Sequence, residues 1–408
     1  MTERLYYTDS YQTEFDALLL DYVMLDGRPA LVLERTCFYP TSGGQPNDLG
    51  TLGGQPVVDV VARDGLVYHV LAAPLDEATL AQLRAQATLH GEIAWPRRYD
   101  HMQQHSGQHL LSQVFARLFE AETVSVHFGA DESTLDLDTA ALEPAQLDEA
   151  ERMANDLVYA ALPIRAYLVD ERELHRIPLR RAPAVTGQIR IVEIDRFDYS
   201  ACGGTHVRTT AEIGPVKLVK QERRRGQTRV TFLCGKRAVA DYVRKHRLLA
   251  QTAALFSTDV GQTPELVARL QEQVKELQRR VDELTTQQLA QTAQALLAAA
   301  QPVGDLRVAA RVLDLPPDAV KTLANLLQAE GRTVALLGTA AGGKPTIIFA
   351  RSEDGRLHMG NLLRAALAAF GGGGGGRPEF AQGGGVPAEK LAEVIAFAQE
   401  QARKELAR

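Results

Sequence analysis

Two short patterns, far apart in the chain, set the hardest condition on its fold. His105-Ser106-Gly107-Gln108-His109 and Cys202-Gly203-Gly204-Thr205-His206 each carry two metal-binding side chains four positions apart. On a helix, positions i and i+4 share a face, so His105 and His109 can grip one ion together. In the second pattern Gly203 and Gly204 permit the tight turn that brings Cys202 and His206 to one point. A fold that uses both must carry a helix and a distant glycine turn to the same place. The donor set His105, His109, Cys202 and His206 suits a single Zn2+. His101 lies one helical turn before His105, on the same face, and is the chief rival ligand. Ser106 stands where a zinc-peptidase helix needs its glutamate base, which disfavours peptidase chemistry. His69, His90, His175, His246 and His358 read as surface or structural.

The rest of the chain sets broader bounds. Its 408 residues allow two to four domains, and 45% hydrophobic with 24% charged residues is a globular composition. No apolar run is long enough for a spanning helix, and the start lacks the layout of a signal peptide. Three cysteines, Cys37, Cys202 and Cys234, are too few and too odd for a disulfide framework. A reducing, cytoplasmic setting is expected. The net charge of −6 argues against indiscriminate nucleic-acid binding, yet between Val216 and Ala250 eleven Lys and Arg face only Glu222 and Asp241. Such a local excess is the footprint of phosphate contacts, or else a solvated basic hairpin and helix.

The chain is expected to be α+β, in four parts. Residues 1–91 carry strand runs at 17–23, 30–35, 57–61 and 67–71, with turn signals at Asp26-Gly27, Gly53-Gly54 and Asp64-Gly65, and predict a small β-barrel. Within them the glycine-rich loop 38–46, holding Gly43, Gly44 and Gln45, lets backbone approach a ligand or another domain closely. Residues 92–249 mix strands with long helices. Asp100 is placed to cap a helix running to about Phe119, and a second helix is expected at 144–161. Residues 250–301 predict a helical stalk. Val267, Leu270, Val274, Leu277, Val281 and Leu284 alternate by three and four, a seam with Val at a and Leu at d. Its short length admits a neighbouring helix of the same chain, such as 238–255, or a second copy as partner. Residues 302–408 alternate strands and helices. The two glycine clusters 371–376 and 383–385, bracketing Arg377, read as a folded backbone surface for an anion.

HSGQHLL at 105–111 followed by CGGTH at 202–206 resembles the editing domain of alanyl-tRNA synthetase and of the free-standing AlaX-type editing proteins. A related domain occurs in threonyl-tRNA synthetase. The loop 38–46 with Asn47-Asp48-Leu49-Gly50 is similar to the glycine-rich segment before that domain. Residues 371–385 resemble the DHH-associated domain that ends alanyl-tRNA synthetase. The order barrel, zinc-containing editing core, stalk and C-terminal domain resembles the long form of AlaX.

The resemblance implies hydrolysis, in trans, of tRNA(Ala) wrongly charged with serine or glycine. It implies no ligase activity, no membrane, and a tail that binds or dimerises. The readings left open are a noncatalytic tRNA-binding protein with structural zinc, and a deacylase of a different mischarged tRNA. Synthetase editing sites often carry Thr directly before the second histidine, where this chain has Gln108. Water must attack the ester carbonyl, and a polar group must tell serine's hydroxyl from alanine's methyl. Gln108, Ser125 and His127 are the candidates for catalytic and specificity roles. Arg223, Arg224, Arg225, Arg229 and Arg377 are the candidate tRNA contacts.

Overall fold

The computed structural model describes every residue except Ala184, Val185, Arg225 and Arg408. The chain divides into two compact units, Met1–Leu255 and Phe256–Arg408. It is α+β throughout.

The first unit opens with a seven-stranded sheet. Its order runs Glu14–Ala17, Leu89–Ile93, Gly50–Leu52, Gln55–Arg63, Leu66–Leu71, Arg28–Leu33, Leu19–Leu25. The turns at Asp26-Gly27, Gly53-Gly54 and Asp64-Gly65 all have positive φ, as two-residue hairpins require. The expected barrel does not close: the end strands Glu14–Ala17 and Leu19–Leu25 are unpaired with each other. Only Leu18 separates them, and a one-residue link continues a strand where a hairpin would need at least two residues to reverse it. The expected strand 17–23 is therefore broken at Leu18, whose carbonyl accepts from the Glu34 N–H instead.

His69 sits fully buried in this sheet. Its Nδ1 faces the Leu31 carbonyl at 3.0 Å and its Nε2 faces Thr36 Oγ1 at 2.7 Å. A carbonyl only accepts, so Nδ1 carries the proton and the ring is neutral and satisfied. Burial pushes its pKa from 6.5 down to about 4. A depressed folded-state pKa contributes stability that is complete above pH 6.5 and is lost as pH falls from there through 4. Acidification across that window is expected to cost up to about 3 kcal/mol from this one group. Urea midpoints of the protein at pH 7 and pH 5 check this: His69→Gln should narrow the gap between them, and an unchanged gap removes His69 as the source.

Helix α1 (Glu77–Ala85) is capped by Asp76, whose side chain accepts from the Thr79 N–H. Helix α2 (Trp95–Phe119) then runs through the centre of the unit. Pro96 in its first turn fixes the start, five residues before the expected cap. Asp100 is inside the helix and takes the Arg237 guanidinium through both carboxylate oxygens. Glu120, in the left-handed region at φ 53°, ends the helix. Leu110, Leu111, Val114 and Phe115 bury one stripe of α2 against Phe128, Leu135, Val230 and Phe232. Those belong to an antiparallel four-stranded sheet, ordered Thr123–Phe128, Ser133–Leu137, Gln227–Cys234, Val216–Arg224. Helix α3 (Pro144–Tyr159) packs Ala150, Ala154 and Val158 into the same core. A three-stranded sheet, Ile164–Asp170, Gln188–Ile194, Asp198–Ala201, leads straight into the Cys202 turn. Helix α4 (Lys236–Leu255) ends the unit.

One buried ion pair ties α2 to the first sheet. Arg98 and Asp48 are both fully buried, with Arg98 Nε 3.0 and 3.1 Å from the two Asp48 oxygens. Arg98 also donates to the Ser10 carbonyl at 2.8 Å, and Asp48 accepts from the Tyr39 N–H at 2.7 Å.

The second unit begins with helix α5 (Thr263–Ala298), started by Pro264 in its first turn. All six seam residues from Val267 to Leu284 are exposed. A six-stranded sheet follows, ordered Gln301–Val303, Leu306–Leu313, Thr333–Thr339, Thr346–Arg351, Phe380–Gly384, Gly373–Gly376. Strand Thr333–Thr339 is buried along its whole length because both faces are covered. Val334 and Leu336 face helices α7 (Met359–Ala368) and α8 (Leu391–Leu406), while Ala335 and Leu337 face α6 (Pro317–Ala329) and Ala293 of α5. The glycine clusters lie mostly in strands rather than in a loop: Gly374 pairs with Gly383. A Cβ on Gly374 or Gly383 would meet Leu367 of α7 at 2.9 or 2.4 Å, so the helix packs directly on bare backbone. No helix among the described residues is long and apolar enough to cross a membrane.

Candidate metal centre

The two patterns converge. One ligand atom from each of His105, His109, Cys202 and His206 lies within 4.8 Å of the other three. The Cys202 sulfur is 3.4 Å from both His105 Nε2 and His206 Nε2. Zinc–sulfur and zinc–nitrogen bonds at the tetrahedral angle would separate these atoms by about 3.6 Å. The donor types and their spacing therefore fit a zinc ion. His101 is buried elsewhere and is no member of the cluster.

Each imidazole is turned by a partner on its outer nitrogen. His105 Nδ1 meets Gln45 Oε1 at 2.8 Å. His206 Nδ1 meets Ser106 Oγ at 3.1 Å. His109 Nδ1 lies 3.3 Å from Asp198 Oδ2, at ion-pair distance. Asp198 is itself held by Arg180 at 3.1 Å and Ser200 at 2.9 Å. With the outer nitrogens of His105 and His206 hydrogen-bonded and that of His109 facing a carboxylate, the inner ones turn toward a shared centre, the usual arrangement around metal-bound histidine. The buried Arg190 shapes the turn, donating to the carbonyls of Cys202 and Gly204 at 2.9 Å each.

The electrostatics make Cys202 the anionic member and leave His109 with a proton that an incoming cation must displace. Burial opposes charge on Cys202, but His105 and His206 outweigh it and the thiol ionises well below the ordinary range. Burial, then the neighbouring His105, pushes His206 down to about 3. Burial also opposes charge on His109, yet Asp198 and Cys202 overcome it and raise its pKa to about 9. A thiolate among imidazoles is a ligand set for a borderline-soft divalent cation.

A cleft of about 620 Å³ opens beside the cluster. His105, His109 and Cys202 line it and His206 does not. Tyr7, Tyr39, Gly43, Leu168 and the cations Arg180 and Arg190 form other parts of its wall.

The remaining candidates lie elsewhere. Gln108 is buried on α2 and donates to Ser112 Oγ at 2.8 Å, outside the cleft lining. Ser125 and His127 are exposed on strand Thr123–Phe128. Ser125 donates to Asp136 at 2.7 Å, and Arg229 grips the same carboxylate at 2.6 and 2.8 Å. Arg223 and Arg224 are exposed at the end of strand Val216–Arg224, while Arg225 lies outside the described residues. Arg377 is exposed in the second unit, on a groove shared with Lys321 and Phe380. Gly43 and Gly44, at φ 56° and 84°, form the turn that precedes Gln45. Sequence reasoning gave no role to Ser106, Arg180, Arg190 or Asp198. Asp198 closely precedes Cys202 in the chain, but nothing in its spacing marks a partner for His109.

Two domain families match parts of the chain. Residues 189–231 match the second additional domain of threonyl and alanyl tRNA synthetases, and residues 305–404 match the DHHA1 domain. The resemblance then narrows. The chain is 29% identical over 399 residues to the alanyl-tRNA editing protein AlaX-L of Pyrococcus horikoshii, covering 94% of both chains. It is 30% identical over 410 residues to the alanine–tRNA ligase of Methanobrevibacter smithii, covering 97% of this chain but only 45% of the ligase. The crystal structure of the C-Ala domain of Aquifex aeolicus alanyl-tRNA synthetase aligns with 26% of this chain and 97% of its own, at 26% identity and a TM-score of 0.24. The chain resembles the long-form alanyl-tRNA editing proteins along nearly its whole length, and spans less than half of the ligase.

Proposed function

We propose that the chain is a trans-acting, zinc-dependent aminoacyl-tRNA deacylase that removes serine, and also glycine, from mischarged tRNA(Ala). The observation that carries this reading is a His3Cys ligand cluster with three of its four members facing a cleft. Similarity to an alanyl-tRNA editing protein over 94% of both chains supports the substrate class. Zinc bound there would supply Lewis acidity, toward an ester carbonyl or a water. The protein's own groups would do the rest. Ser106, Gln45 and Asp198 hold the three imidazoles in register, and Arg180 and Arg190 give the cleft wall a positive charge for the polyanionic end of a tRNA.

Arg223, Arg224 and Arg377 are proposed tRNA contacts, each exposed and cationic. Arg229 supports that surface through its pairing with Asp136, and Arg225 is proposed from sequence alone. Gln108, Ser125 and His127 keep their proposed roles in specificity as assignments from sequence. The four-part division at 91, 249 and 301, the cytoplasmic setting and a homodimer through the α5 stalk or the C-terminal domain belong to the same proposal.

The closed four-ligand set favours a second reading, a tRNA-binding protein whose zinc is structural. Single-turnover deacylation of Ser-, Gly- and Ala-tRNA(Ala), with Cys202→Ala as control, separates the two. Serine and glycine esters are expected to be cleaved about 100-fold faster than the alanine ester, with all activity lost in the control. No turnover on any of the three supports the binding module.

A further inference from the structure

The glycine-rich loop of the first sheet reaches into the metal centre through one side chain. Ser42 and Gln45 exchange both backbone hydrogen bonds, at 3.1 and 2.9 Å, across Gly43 and Gly44. Positive φ at both central residues makes this a two-residue reversed turn, which only glycine adopts freely. Beyond the turn Gln45 is fully buried. Its Oε1 accepts from His105 Nδ1 at 2.8 Å and from the Thr205 N–H at 3.2 Å, and its Nε2 donates to Thr205 Oγ1 at 2.8 Å.

These contacts fix one another. The Thr205 N–H can only donate, so the oxygen of the carboxamide must face it, and the same oxygen then faces His105. His105 must carry its proton on Nδ1, which leaves the Nε2 lone pair directed at the Cys202 side. The same carboxamide grips the Cys202–His206 turn at Thr205. One residue therefore joins the two halves of the ligand set, and it comes from neither motif.

We infer that Gln45 is a positioning residue for the metal: it selects the metal-binding nitrogen of His105 and holds the turn bearing Cys202 and His206 against α2. This rests on the metal centre of the preceding reading, and the test separates the two. The full chain, loaded with Zn2+ or Co2+, is compared as wild type, Gln45→Leu and Gln45→Glu. Metal affinity is measured by chelator competition, ligand geometry by the Co2+ absorption spectrum, and the fold by melting of the metal-free protein. Gln45→Leu removes the acceptor and is expected to lower affinity about 10- to 100-fold and alter the Co2+ bands. Gln45→Glu keeps an acceptor for His105 and the Thr205 N–H, and the Thr205 hydroxyl can donate to it. It is expected to restore most of the affinity and the wild-type spectrum. Wild-type affinity in Gln45→Leu, or equal damage in both variants, overturns the inference. So does a fall in affinity fully matched by melting of the metal-free fold. Failure of the wild-type chain itself to bind stoichiometric metal overturns the metal centre instead.

Discussion

Gly204→Ala is expected to destroy the metal centre while leaving the chain folded. A Cβ at this position would stand 2.2 Å from His105 Cε1 and 2.5 Å from its Nδ1, distances that no real contact sustains. His105 has nowhere to retreat, because Phe128 and His206 crowd its ring at centroid distances of 5.1 and 4.4 Å. The backbone itself accepts alanine, since Gly204 is not among the residues with positive φ. The loss is therefore steric and falls on one ligand. Metal affinity should drop more than the roughly 100-fold typical of removing an outer partner, and deacylation should fall with it. Gly203→Ala is the matched control, because its added carbon would only touch the Tyr7 hydroxyl at 3.4 Å and its ring at 3.8 Å. Zinc retained by Gly204→Ala at an affinity within a few-fold of the control would show that His105 is not a ligand.

The second large effect is on stability. Arg98→Met leaves Asp48 ionised and buried without its partner, the circumstance in which a buried pair is costly to break, at about 3 to 5 kcal/mol. In a unit of this size that corresponds to a fall of about 10 °C in melting temperature. Adding Asp48→Asn to the variant should recover part of the loss, because it removes the stranded charge while keeping an acceptor for the Tyr39 N–H. Thermal melts of the two variants read this directly. A single variant that melts within 2 or so degrees of wild type would mean that the pair contributes no more than a surface contact does.

The four-residue cluster was legible from the sequence because it is written in local spacing. Four positions on a helix and four across a glycine turn are short-range facts, and only their meeting is long-range. What was not legible is what turns the rings. Asp198 is one acidic residue among many until a strand places it 3.3 Å from His109. Ser106 drew notice as the residue that is not a peptidase glutamate, and its hydroxyl proves to face His206 Nδ1. Asp100 carried a good capping signal, but Pro96 starts the helix earlier and Arg237 claims the carboxylate. The barrel expectation found four of the seven strands and wrongly closed them, because a one-residue link at Leu18 cannot be told from a continuous strand by alternation alone. The glycine clusters read as a backbone surface for an anion and not as strands because glycine is a poor strand former, and only the neighbour α7 explains why bare backbone is needed there.

The boundary drawn at residue 91 has a practical consequence for anyone wishing to excise the ion-binding half. A fragment beginning at α2 would lose Asp48 from beside Arg98 and Gln45 from beside His105. It would start life with a naked buried guanidinium and a histidine free to rotate. Trimming at that point would leave the four-residue cluster in an unstable shell with one ring unsupported, so the segment ahead of the helix belongs with the cluster as much as α2 does.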